Sequence, residues 1–305
     1  MIMRKAYPSD RSQLIDLGGK VFGDEPAVVN RILDEFAGFD NIFVTEDGGD
    51  VIAQLLSIPC TAAGQKGAYL YSLATKPEYR GQGVMALLME AAQVTLEADG
   101  GTFFILIPAS RSLFDYYASH GFESVFTQNM SFDMENLSKM INSSDISKPD
   151  FSESDFNYGQ IPVDIFMNLR KRYIGDNLVT FSQDRTAFEL EEQWYYDCSS
   201  IYCEDGYMIY MKVDDTLFVT EIAASSQYVM QRLILAAGQL TGCDAVKVTI
   251  PEDSSPILDG SYKAVNTSQA QYKWWGAGSP PKFYLRFALD DLPARIQANH
   301  QDIIV

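Results

Sequence analysis

Histidine is nearly missing from this 305-residue sequence, with only His120 and His300, and cysteine is scarce at Cys60, Cys198, Cys203 and Cys243. No C-x-x-C pair occurs, so a structural zinc site lacks well-spaced ligands and no metal is expected. Four scattered thiols make a poor disulfide scaffold and suit a reducing cytosol. Long apolar runs are missing too. No stretch approaches the ~20 residues that cross a bilayer, and the start, MIMRKAYPSDRSQ, lacks the apolar core of a secretory signal. The expectation is a cytoplasmic protein with no membrane partner. Positive charge is also short: 23 basic against 41 acidic side chains leave a formal net charge of −18. The excess is shared, −9 over residues 1–150 and −9 over 151–305. Such a field repels phosphate backbones and argues against nucleic acid as a partner. It keeps a protein soluble and is compatible with a cationic ligand.

What is present is enough apolar content, 47%, and enough length for two domains with separate cores. Residues 2–6 read as a strand. SDRSQLIDLGGKVFG reads as a helix capped by Ser9 or Asp10, with Leu14, Ile15 and Val21 facing inward. A second helix covers 26–36. NIFVTED and DVIAQLLSIPCTAAG read as strands paired across the turn at residues 47–50. GAYLYSLAT, apolar on both faces, reads as a central strand. The next helix places Val84, Leu87, Leu88, Ala91, Val94 and Ala98 on one stripe. TFFILIPA, SRSLFDYYASHGF and ESVFTQNMSFDM continue as strand, helix and strand.

Residues 136–157 are rich in Ser and Asp and read as a linker. The second half then repeats the order of elements with hardly any repeat of sequence. Helices are expected near 162–174 and 184–194, followed by SSIYCED, GYMIYMKVDD and TLFVTEIAAS as strands. A helix with Val229, Leu233, Ala236 and Leu240 on one face follows, then CDAVKVTIPED, and late strands near YKWWGA and KFYLRFALD. The pattern implies a duplicated α/β fold.

One stretch carries chemistry: LATKPEYRGQGVMALLMEAA, residues 73–92. A helix N-terminus leaves backbone N–H groups unpaired and bears partial positive charge, a combination that holds phosphate. Gly81 and Gly83 stand where the helix begins, and Arg80 adds a permanent cation able to grip phosphate with two N–H groups. There is no G-K-[ST] of a phosphate-binding Walker loop and no three-glycine dinucleotide fingerprint.

This stretch resembles the coenzyme A loop of the GCN5-related N-acetyltransferases (GNAT), [QR]-x-x-G-x-[GA] after a strand end L-A-V-x-P. Arg80 and Gly83 fill the first two fixed positions, and Met85 stands where Gly or Ala is usual. That departure resembles the tandem-domain acetyltransferases of the enhanced intracellular survival type, without their third domain. The resemblance implies two tandem acyl-CoA N-acyltransferase-like domains with mixed central sheets flanked by helices. Residues 1–135 would hold the coenzyme loop, 136–157 the linker and 158–305 a degenerate copy. It further implies acetyl-CoA as cosubstrate, with Leu73, Ala74 and Thr75 along the pantetheine arm. The amides of Arg80, Gly81, Gln82, Gly83, Val84 and Met85 would lie on the pyrophosphate. Assembly into a homo-oligomer is a further expectation.

FDYYASHGFE resembles the family's F-Y-x-x-x-G-F segment, and the resemblance implies Tyr117 as the acid for the leaving thiolate. A phenol, with an ordinary pKa of ~10, suits that role when positioned by its surroundings. His120, in the turn before Gly121, is expected at the surface or in a capping role. The central strand, Tyr69 to Ser72, has no carboxylate to act as base. Asp24 and Glu25, at the end of the first helix, are candidates for the acceptor pocket. In the second half the matching strand-to-helix junction has no arginine or glycine. Ser225 and Ser226 can cap that helix themselves, so the copy is read as lacking a coenzyme site. Its Trp194, Tyr195, Tyr196, Trp274 and Trp275 are read as core or interface. The expected activity is acetyl transfer to a primary amine of a small cationic acceptor; the alternative is a non-catalytic acyl-CoA sensor or scaffold.

Overall fold

The computed structural model describes residues 1–143, 155–175, 178–195, 197–251 and 263–280. In chain order, β1 (Ile2–Lys5) leads to α1 (Arg11–Phe22) and α2 (Pro26–Arg31), which runs on as a π-helical segment, Ile32–Ala37. The antiparallel strands β2 (Ile42–Asp47), β3 (Asp50–Ala62) and β4 (Gln65–Thr75) follow. Then come α3 (Val84–Ala98), β5 (Phe103–Leu106), α4 (Arg111–Ser119) and β6 (Glu123–Asp133). The second half has α5 (Met134–Ser143), β7 (Asn157–Gly159), α6 (Val163–Tyr173), α7 (Gln183–Tyr195) and β8 (Ser199–Cys203). It continues with β9 (Gly206–Val213), β10 (Thr216–Ala224), α8 (Gln227–Thr241), β11 (Ala245–Pro251) and β12 (Lys263–Trp274).

The duplication lies in the topology. In each half one parallel strand pair is joined by a crossover helix: β4–α3–β5 and β10–α8–β11. The strands before each crossover are antiparallel. A parallel pair needs such a long connection, because a hairpin can join only antiparallel strands. All described strands hydrogen-bond into one sheet, in the order β1-β2-β3-β4-β5-β12-β6-β11-β10-β9-β8-β7. The halves interlock at its middle. β12, from the end of the described chain, lies between β5 and β6, while β6 pairs on its other edge with β11. A further tie joins the halves at Thr61 and Thr180, whose amides each donate to the other's carbonyl at 2.9 Å.

Among the described residues, apolar side chains fill both faces of the sheet in both halves, in four buried clusters. Phe36, Phe103 and Leu14 centre one under α1 and α2; Leu88, Phe104 and Leu106 centre another under α3. Their lining corrects three sequence expectations. Helix α3 turns Val84, Leu88 and Ala92 inward, while Leu87 and Val94 are 50% and 61% exposed. The helix is apolar around most of its circumference, so periodicity alone does not pin its buried face. Leu240 of α8 is likewise exposed, and Ile234 and Ala237 are buried instead. The start of the expected linker is helix α5, whose Leu137 and Ile141 are buried against the second half's core. A sparse apolar spacing hidden among Ser and Asn produces it; residues 144–154 lie outside the described ones.

The expected aromatic group does not form one cluster. Trp194 packs beside α6 and α7, Trp274 on the α1 side of the sheet and Trp275 on the α3 side. Tyr196, the strand expected at KFYLRFALD and His300 lie outside the described residues.

Candidate active site

β4 and β5 pair only over Gly67–Tyr69 and Phe103–Ile105. Beyond that β4 runs on to Thr75, so its last residues have no strand partner on that side among the described residues. Ser72 interrupts the strand with a left-handed backbone (φ 51), and the register to β3 slips between Gln54 and Leu56. A bulge of this kind re-aims the groups that follow it and is held only where its surroundings insist on it. Here the buried Gln54 insists, donating from Nε2 to Ser72 Oγ at 2.8 Å.

The gap opens into a cavity of about 700 Å³. Its walls are Leu73 and Thr75 from β4, the loop at Arg80, Gly81 and Gly83, and the first turn of α3 at Val84, Met85 and Ala86. Leu113, Tyr116 and Tyr117 of α4, with His120, close the far side, and Val21 and Phe22 of α1 reach one end. Gly81 and Gly83 have φ of 73° and 76°, left-handed conformations that a side chain would strain. Gly83 is the residue before α3, and no side chain among the described residues caps that helix. Its first N–H groups therefore remain for another acceptor. Arg80 is tethered through Nε to the carbonyl of Thr75 at 3.1 Å. Gln82 turns away and donates to Glu78 O at 2.9 Å, and Ala74 is buried in the core; neither side chain lines the cavity.

The second crossover uses the same position differently. Ser226 accepts from Val229 N at 3.3 Å, so α8 caps itself as the sequence implies.

Tyr117 is 6% exposed, its ring packed against Tyr116 (centroids 5.2 Å apart) and Phe122 (5.5 Å). Burial, with a smaller push from Tyr116, raises its phenol pKa well above the usual tyrosine value, so the hydroxyl keeps its proton at neutral pH. His120 caps, in keeping with its turn position: Nδ1 lies 2.8 Å from Tyr116 O. A carbonyl only accepts, so Nδ1 donates, and Nε2 is the acceptor in the neutral ring. The same imidazole also lines the cavity and lies against Tyr116, centroids 4.5 Å apart. Nothing in its turn position signals that second role. Asp24 and Glu25 follow α1 in the turn to α2 and are not on this wall; Val21 and Phe22 are.

The electrostatic sign of the site is the reverse of the chain's. Despite a net charge of −18, no carboxylate lines the cavity among the described residues, and the one permanent charge on its walls there is Arg80. Among the described residues, no group of His, Cys, Asp and Glu is gathered in a way that could hold a metal ion, and no helix is long and apolar enough to cross a membrane.

A split parallel pair, an uncapped helix after two left-handed glycines and a cationic wall form a cavity suited to an anionic ligand. The family model of the acetyltransferase (GNAT) domain matches residues 3–125. The comparison with curated proteins found no match. Solved structures with the same fold span nearly the whole chain. One is a GCN5-related N-acetyltransferase from Kribbella flavida: 15% identity, TM-score 0.68, 90% of this chain and 70% of that one. Another is a probable N-acyltransferase from Enterococcus faecalis V583: 12%, TM-score 0.71, 90% and 72%. A third is Eis1 from Mycobacterium abscessus: 12%, TM-score 0.69, 90% and 74%. At these identities the likeness is one of fold.

Proposed function

We propose that this acyltransferase moves acetyl from acetyl-CoA to a primary amine of a small, cationic acceptor. The observation that carries the reading is the Arg80-bearing cavity beside the first turn of α3, whose N–H groups no side chain among the described residues caps, in an otherwise acidic chain. The pyrophosphate lies on the amides of Arg80 to Met85, where helix N-terminus and guanidinium act together. The pantetheine arm extends along Leu73 to Thr75 as a strand-like partner to the open edge of β4. The amine attacks the thioester carbonyl carbon, the C–N bond forms, and collapse of the tetrahedral adduct breaks the C–S bond. Tyr117 gives its proton to the departing sulfur, and the new ammonium group returns one to the phenolate or to water. Before attack the ammonium form of the acceptor loses its first proton to water, since no carboxylate lines the wall among the described residues.

The domains follow the same reading: residues 1–135 carry the coenzyme site, and 158–305 are a copy without one that walls the acceptor cleft. Association into a homo-oligomer is part of this proposal. An acyl-CoA sensor that binds without turnover is the second reading, favoured by the missing carboxylate base. Release of free thiol from acetyl-CoA in the presence of a panel of polyamine, aminoglycoside and peptide amines separates the two. Amine-dependent release supports the enzyme; binding with no release by any amine supports the sensor.

A further inference from the structure

We propose that Gln271 is a positioning residue for this site, acting from the last described strand of the chain on the helix that carries Tyr117. The inference rests on the acetyltransferase reading and adds that the coenzyme half is incomplete without the second half.

β12 fills the slot between β5 and β6, where Gln271 stands opposite Leu106 on one side and Ser124 on the other. Gln271 is 2% exposed, and its Nε2 donates to the backbone carbonyl of Phe114 in α4 at 3.2 Å, across 157 residues of sequence. Phe114 lies one helical turn before Tyr117, so the bond holds the turn that presents the phenol. The residues after Gln271 seat the strand. Tyr272 donates to Glu123 at 3.0 Å, Trp275 N to Thr102 O at 3.0 Å, and Trp275 Nε1 to Gly101 O at 2.9 Å.

Stability alone is a poor reason for a glutamine here. Its Oε1 is buried with no hydrogen-bond partner among the described residues. A buried amide oxygen left unpaired is costly, and an apolar side chain of similar length avoids that cost. The Phe114 carbonyl, inside a helix, does not depend on Gln271 for its hydrogen bonding. What the amide adds is a directed contact that fixes where α4 sits against β12.

The test is Gln271→Met in the full chain, compared with wild type by thermal unfolding, acetyl-CoA calorimetry and amine-dependent thiol release. The expected result is an unchanged or higher Tm, a coenzyme Kd within about threefold, and kcat reduced about tenfold or more, since an ångström of misplacement can cost on the order of a hundredfold. Gln271→Glu supplies an independent readout. Its carboxylate opposes the Phe114 carbonyl at neutral pH, but its protonated form donates to it. The kcat deficit relative to wild type should therefore narrow as pH falls. A Gln271→Met enzyme with wild-type kcat, or a kcat loss matched by loss of Tm and coenzyme affinity, overturns the positioning role and leaves the acetyltransferase reading standing. Wild type that releases no thiol with any amine overturns that reading and this inference with it.

Discussion

Gln54 and Ser72 are joined across β3 and β4 by a 2.8 Å hydrogen bond at the one point where β4 leaves regular strand geometry. A left-handed serine is strained, by about 1–3 kcal/mol, and it stands directly before the open edge that borders the cavity. Ser72→Val removes the hydroxyl and puts a branched Cβ into the same conformation. It should cost roughly 2 kcal/mol of stability and reduce kcat/KM about tenfold or more. Ser72→Gly also loses the bond to Gln54 but adopts the left-handed backbone without strain, and should stay within about threefold of wild type. Urea unfolding and steady-state kinetics on both variants check this; equal behaviour of the two would show that the bulge is incidental.

Arg80 gives the cavity its sign. Arg80→Ala should weaken acetyl-CoA binding about tenfold, a charge-assisted contact of ~1.4 kcal/mol, and flatten the dependence of Kd on salt. Binding of acetylpantetheine, which has no phosphates, should hardly change. Equal losses for both ligands would mean that Arg80 acts on the loop fold and not on phosphate.

The raised pKa of Tyr117 makes a signed prediction. Raising the pKa extends the proton-bearing form upward, so activity that needs this proton is lost only as pH rises through a value above the ordinary 10.0. The kcat profile should therefore show no alkaline fall between about pH 7 and 10. Tyr117→Phe should lower kcat by about a hundredfold with acetyl-CoA affinity retained. A fall in wild-type kcat near pH 8 would point to an acid other than Tyr117.

A structural ion-pair network offers a test independent of catalysis. Arg4 grips Asp10 with two bonds, 2.7 and 3.0 Å, and reaches Glu46 at 2.8 Å, tying β1 to α1 and β2. The Arg4 bond is the main reason that the carboxyl pKa of Asp10 is depressed. A depressed carboxylate pKa stabilises the fold above the unfolded value, near 4, and that contribution is lost as pH falls through the folded value. Asp10→Asn should cost about 2 kcal/mol at pH 7, and its gap from wild type should shrink in unfolding curves taken toward pH 3.

The local parts of this architecture are readable from sequence, and the long-range ones are not. The crossover 73–98 announces itself because strand, glycines, arginine and helix act within a few residues of one another. Self-capping by Ser226 is readable for the same reason. The placement of β12 between β5 and β6 is not, because alternation reveals that a segment is a strand but not which distant edge it joins. His120 and the Val21–Phe22 end of α1 line the cavity through tertiary packing, which no spacing rule encodes. Leu137 and Ile141 give too sparse an apolar pattern to mark α5 within a serine-rich stretch.

We propose a single acetyl-CoA site per chain, on the first crossover. Calorimetric titration of the full chain with acetyl-CoA, beside Gly83→Glu, is the decisive measurement. A Cβ at Gly83 meets nothing within 4 Å, so the variant acts through its left-handed backbone and its negative charge at the helix N-terminus, not through a clash with neighbouring side chains. The expected result is one site per chain in wild type and none in the variant. Two sites in wild type, binding that survives in Gly83→Glu, or no binding at millimolar coenzyme would contradict it.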